Sequence, residues 1–125
     1  MSKEQLYIFD TTFRDGAQTQ GVDFSIDDKD KISSALDLLG VDYVEGGWPG
    51  ANPTDTEFFN KDHNFKSTKL TAFGMTKKSE HSAENDPMLS SLINSKSSAV
   101  CLFGKSWDFQ VKVALGITNE QNLTN

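Results

Sequence analysis

Apolar positions along the chain fall into short runs separated by stretches with helical spacing. Leu6-Tyr7-Ile8-Phe9 predicts a first buried strand, ended by a turn at Gly16. Ser25 and Asp28 form a capping pair for a helix with the apolar stripe Ile32, Ala35, Leu36 and Leu39, stopped by Gly40. Val41-Asp42-Tyr43-Val44 predicts a second strand, after which come Glu45 and the glycine-rich Gly46-Gly47-Trp48-Pro49-Gly50. Asn52 before Pro53 predicts the cap and first turn of a second helix running through Phe58 and Phe59. A third strand is expected over Lys69-Leu70-Thr71-Ala72-Phe73, a third helix near Met88 to Ile93, and a fourth strand from Ala99 to Phe103. Thr118 and Gln121 open one further helix, about one turn before Asn125.

Strands and helices that alternate every thirty residues or so predict a parallel sheet with right-handed crossovers, an α/β architecture. A doubly wound, flavodoxin-like binding module fits this length, whereas a (β/α)8 TIM barrel needs roughly twice as many residues. The helix that opens at Thr118 favours the barrel. The expectation is therefore the first four βα units of a (β/α)8 TIM barrel, with residues 1–125 as the N-terminal half of a catalytic domain that continues beyond Asn125. The polar groups agree with a barrel mouth. Arg14 and Asp15 follow the first strand, Glu45 the second, Gly74 and Thr76 the third, and Lys105 and Ser106 the fourth. All lie at the carboxyl ends of strands, where ligands bind in parallel α/β folds.

A net charge of −6 argues against a nucleic-acid groove or an anionic membrane surface as partner. The N-terminus has no apolar signal core and no run approaches membrane-spanning length, so a cytoplasmic protein is expected. Cys101 sits in the apolar run Ala99 to Phe103, which predicts a buried structural thiol rather than a nucleophile. His63 and His81 lie in polar stretches and read as solvated loop histidines. The most chemical segment is Asp10-Thr11-Thr12-Phe13-Arg14-Asp15-Gly16-Ala17-Gln18. Asp15 there is a candidate oxygen ligand for a hard cation, and Arg14 a permanent fork of donors for an oxyanion or carboxylate.

Phe13-Arg14-Asp15-Gly16-Ala17-Gln18, with Lys29 further on, resembles the signature of the isopropylmalate, homocitrate and citramalate synthases, which are related to the hydroxymethylglutaryl-CoA lyases. Phe13 stands where that family usually has leucine. The segments Gly40 to Pro53 and Phe103-Gly104-Lys105-Ser106-Trp107-Asp108 are similar to the citramalate branch rather than the isopropylmalate branch. The resemblance implies a metal-dependent TIM barrel, homodimeric when complete, that condenses acetyl-CoA with pyruvate in a Claisen-type step on the way to isoleucine. The neighbouring alternative is another acyl-CoA/2-oxo acid enzyme of the superfamily, such as an isopropylmalate synthase. It further implies that Asp15 holds a divalent ion (Mg, Mn or Zn) that polarises the keto acid, and that Arg14 stabilises the developing negative oxygen. Gln18 would orient the loop at the substrate, Glu45 would accept a hydrogen bond from Arg14 or from water on the ion, and Lys29 would be structural. The family's His-x-His metal ligands have no counterpart in these 125 residues, and Gln110 replaces a histidine frequent in relatives. The missing ligands are expected downstream, and the 125-residue chain alone is expected to be unstable or self-associating and to turn over no substrate.

Overall fold

The computed structural model describes residues 4–125. Four parallel strands lie in the order β1-β2-β3-β4: β1 Phe9–Asp10, β2 Tyr43–Gly47, β3 Lys69–Met75 and β4 Ala99–Phe103. Between them run α1 (Ile26–Leu39), α2 (Pro53–Asn60) and α3 (Pro87–Asn94). A flavodoxin-like sheet would place the second strand outside the first, so sequential order excludes the doubly wound alternative and matches four units of a barrel wall.

The helices form where their caps dictate. Ser25 and Asp28 make a reciprocal capping box on α1, Asn52 accepts the Asp55 amide with Pro53 in the first turn of α2, and Asp86 accepts the Met88 and Leu89 amides at the start of α3. All three helices cover one face of the sheet. Phe58, Phe59 and Leu92 pack there on Leu70 and Ala72, while Ile32 and Leu36 of α1 pack on Phe13, Val41 and Val44. Alternation along β3 leaves Thr71, Phe73 and Met75 on the opposite face.

Several expectations are corrected. The first strand is confined to Phe9–Asp10, and Leu6, Tyr7 and Ile8 are exposed rather than buried. The Ile8 amide turns to the Asp42 carboxylate, and this edge has β2 as its single neighbour. On α1 the buried positions are Lys29, Ser33 and Asp37, whereas Ala35 and Leu39 face outward. A polar stripe can be buried there because each charged member has partners: Asp37, for example, accepts the amides of Lys66, Ser67 and Thr68 at 2.8–3.0 Å and so shapes the approach to β3. β2 begins two residues later than expected and contains Glu45 instead of ending before it. His63 is half-buried, stacked on Phe65 and bonded through Nε2 to the Phe58 carbonyl, so it is not a solvated loop residue; His81 is likewise half-buried.

A helical segment absent from the sequence reading follows β4. α4 starts at Asp108–Gln110 and widens into a π-turn over Val111–Leu115, with Val111 buried. α5 (Asn119–Leu123) carries the anticipated Thr118–Gln121 capping box. Among the described residues, no helix is long and apolar enough to cross a membrane.

Backbone amides from Lys66, then Ser67 and Thr68, hold the Asp37 carboxyl well below the usual carboxylate range. A depressed folded-state pKa gives stability that is complete above the unfolded aspartate value and lost as pH falls through the folded one. In pH-dependent thermal unfolding, Asp37→Asn is expected to lower the melting temperature at neutral pH and to flatten the decline below about pH 4. A variant that kept the wild-type acid limb would show that this carboxylate does not carry it.

Candidate functional site at the carboxyl ends of the strands

The site begins with an irregularity in β2. Glu45 pairs with Thr71 and Gly47 with Ala72, which leaves Gly46 as an extra residue in the ladder. Strict alternation would send Trp48 to the helix-covered face; the bulge resets it, so Glu45 and Trp48 both reach the open face. Trp48 there meets the edge of Phe73, with ring centroids 5.5 Å apart. Only glycine fits the bulge. A Cβ on Gly46 would lie 2.9 Å from Phe58, Phe59 and Leu70, and Gly47 has φ +132° with the Asp55 carboxylate against its α-carbon.

Beneath the bulge is a buried ionic network. Lys29 of α1, 2% exposed, donates to the Gly46 carbonyl at 2.8 Å and to Asp55 of α2. Asp55 also accepts the Trp48 amide at 2.8 Å and the Asn52 side chain at 2.9 Å. The structural role expected for Lys29 is therefore correct, and its place is directly behind the site.

Arg14 enters from the loop after β1, whose turn is made by the amides of Arg14, Asp15 and Gly16 converging on the Thr11 carbonyl. Its Nε donates to Glu45 Oε2 at 2.8 Å, Nη1 lies 3.3 Å from Asp15 Oδ1, and its guanidinium carbon stands 4.3 Å from the Phe73 ring centroid. Among the described residues, three of its five N–H donors have no acceptor. Glu45 is 1% exposed, and its second oxygen, Oε1, is buried without a partner. Removing Arg14 costs about 3–5 kcal/mol, because the Glu45 charge is left alone in the interior.

The expected residues are thus only partly gathered. Arg14 and Gln18 line one open cavity of about 420 Å³, together with Trp48, Phe73, Phe103 and Lys105. Glu45 lies under Arg14, and Asp15 turns outward, its side chain 63% exposed. Three contributors were missed. Phe73 and Trp48 are chemically silent in sequence; the signal for Phe73 was its alternation with Thr71 on the face that Glu45 shares. Cys101 is the third: it is half-buried, not buried, and its thiol is pushed up by burial first and then by the Glu45 carboxylate, against a smaller opposing effect of Arg14. Carboxylates suit hard cations, and Asp15, open to solvent, offers one oxygen donor to such a set. Among the described residues, no group of three or more His, Cys, Asp or Glu could hold a metal ion.

Residues 5–125 match the HMGL-like family. The chain is 51% identical to an (R)-citramalate synthase of Aquifex aeolicus, over 96% of this chain and 23% of that protein. It is 46% identical to an (R)-citramalate synthase of Sulfolobus acidocaldarius, over 98% of this chain and 24% of that protein. A 2-isopropylmalate synthase of Caldanaerobacter subterraneus is 33% identical over 98% of this chain and 30% of its own length. The chain spans about a quarter of the length of the citramalate synthases it matches.

A thiol raised by burial and by a carboxylate carries less thiolate at a given pH, and thiolate is the reactive form. Iodoacetamide at pH 8 is expected to alkylate Cys101 more slowly than a free cysteine, and Glu45→Gln is expected to accelerate it. Equal rates in the two proteins would place the thiol outside the influence of Glu45.

Proposed function

The chain belongs to the HMGL-like family of TIM-barrel enzymes, and from that premise we propose that it supplies the first four βα units of an (R)-citramalate synthase. The reaction is the condensation of acetyl-CoA with pyruvate, releasing CoA. Identities of 40–51% to citramalate synthases, against 33% to an isopropylmalate synthase across the same span, support the choice of keto acid.

One observation carries the chemistry. Arg14 is tethered by Glu45 and backed by Phe73, yet keeps three N–H donors at a cavity on the carboxyl ends of parallel strands. Addition to a keto carbonyl turns its oxygen negative, and fixed donors that need no reorganisation stabilise that charge most. The tether removes rotational freedom from Arg14, and the aromatic ring keeps water from one face of the guanidinium. Gln18 and Lys105, on the same cavity, add a neutral amide and a cation suited to a carboxylate or thioester group.

Asp15 would hold a divalent cation, which when bound supplies Lewis-acid polarisation of the keto acid. With Asp15 and Glu45 as the carboxylates of this site, further ligands must come from elsewhere, so the 125-residue chain alone is expected to release no CoA.

The test uses the complete polypeptide that carries this segment, assayed for CoA release with pyruvate, 2-oxoisovalerate and 2-oxoglutarate. Pyruvate is expected to be the preferred acceptor; preference for 2-oxoisovalerate would move the protein to the isopropylmalate branch. Arg14→Ala is expected to lower kcat by about 10²–10³-fold. Asp15→Ala is expected to abolish metal-dependent condensation, and full activity in that variant would remove Asp15 from the site.

A further inference from the structure

We infer that Lys29 is the positioning residue of the Arg14–Glu45 pair, acting as a clamp behind it and held there by Asp55. Its effect on turnover rests on the synthase reading above, whereas the clamp itself does not. The ammonium of Lys29 bonds the carbonyl of Gly46, the residue after Glu45, at 2.8 Å. It also lies 5.6 Å from the ring centroid of Phe13, the residue before Arg14, and 5.5 Å from that of Phe58. One side chain on α1 therefore touches the chain neighbour of each member of the pair.

Beyond the packing of Phe13 on Val41 and Val44, the backbone ladder does little to fix their separation. β1 and β2 are joined by two register pairs, Phe9 with Tyr43 and Asp10 with Val44, and Arg14 lies four residues past the last of them. The Gly46 carbonyl belongs to the bulge, where the ladder is interrupted and an unbonded carbonyl would be free to turn. Lys29 satisfies it. Asp55 in turn is fixed by the Trp48 amide and Asn52, so the ammonium cannot follow either Phe13 or Gly46 if they move. An ion pair serving stability alone could be exchanged for apolar residues at little cost, since buried pairs are weak evidence for stability. A clamp could not, because the bond to the Gly46 carbonyl would be lost.

That difference defines the experiment. Arg14 is the single arginine of this chain. In the complete polypeptide labelled with ¹⁵N-arginine, the Arg14 Nε–H signal is assigned by its disappearance in Arg14→Lys. In the unmodified protein it is expected to be shifted from free arginine and slow to exchange, as a proton held against Glu45 must be. Lys29→Met combined with Asp55→Asn removes both charges together. The clamp predicts a protein that still folds, with a melting temperature lowered by the loss of the Gly46 carbonyl's partner, Arg14 Nε–H exchange at least tenfold faster, and kcat at least tenfold lower with KM for acetyl-CoA within threefold. A folded double variant with wild-type exchange overturns the inference. Should that variant fail to fold, Lys29→Met alone removes the clamp while Asp55 keeps the donors of the Trp48 amide and Asn52, and wild-type Arg14 exchange there overturns the inference equally. Lys31→Met, which breaks the exposed Lys31–Asp27 pair on the same helix, is the control and leaves the signal in place. Absence of CoA release in the unmodified protein would refute the synthase reading, and the exchange measurement would still decide the clamp.

Discussion

A carboxylate buried within β2 is the constraint around which this structure is arranged. Glu45 is almost fully enclosed, and an unpaired charge there would be lost to protonation or unfolding. Arg14 answers it at 2.8 Å and must therefore reach in from the loop after β1. That requirement fixes where the loop turns, and Phe73 then takes the open face of the guanidinium. The ends of β1, β2 and β3 are thus tied together by one side-chain charge, not by the ladder, which at β1 is two residues long.

The buried polar groups of the helices follow the same logic. Buried Lys29, Asp55 and Asp37 each satisfy backbone groups that regular structure leaves open: the bulged Gly46 carbonyl, the Trp48 amide, and three successive amides before β3. An apolar helix face would pack more cheaply but would leave these groups without partners. The helices consequently do more than cover the sheet. They supply the donors and acceptors where strands give way to loops, which is where the site is built.

Much of this was legible in the chain itself. Caps announced themselves at Ser25, Asn52 and Thr118, because capping chemistry is local. Arg14, Asp15 and Gln18 were visible as reactive types beside a glycine turn. What escaped was whatever depends on a distant partner. Glu45 looked like a residue past a strand, since a charge inside one is unfavourable until Arg14, 31 residues away, is beside it. Leu6 to Ile8 looked buried because apolar runs report a preference for burial, not the presence of a neighbour to provide it. The polar stripe of α1 was hidden for the converse reason: nothing local marks Ser33 and Asp37 as buried until the groups they satisfy are known.

Sequential strand order also governs how such a chain comes off the ribosome. Each of the four described strands pairs with the next along the sequence, so no contact among them waits for a segment made much later. Once residues through Asn60 have emerged, β1, α1, β2 and α2 already contain Arg14, Glu45, Lys29 and Asp55. The most polar, most exacting part of the interior is therefore synthesised first and can be assembled vectorially, with every later βα unit added against a template whose charges are already neutralised.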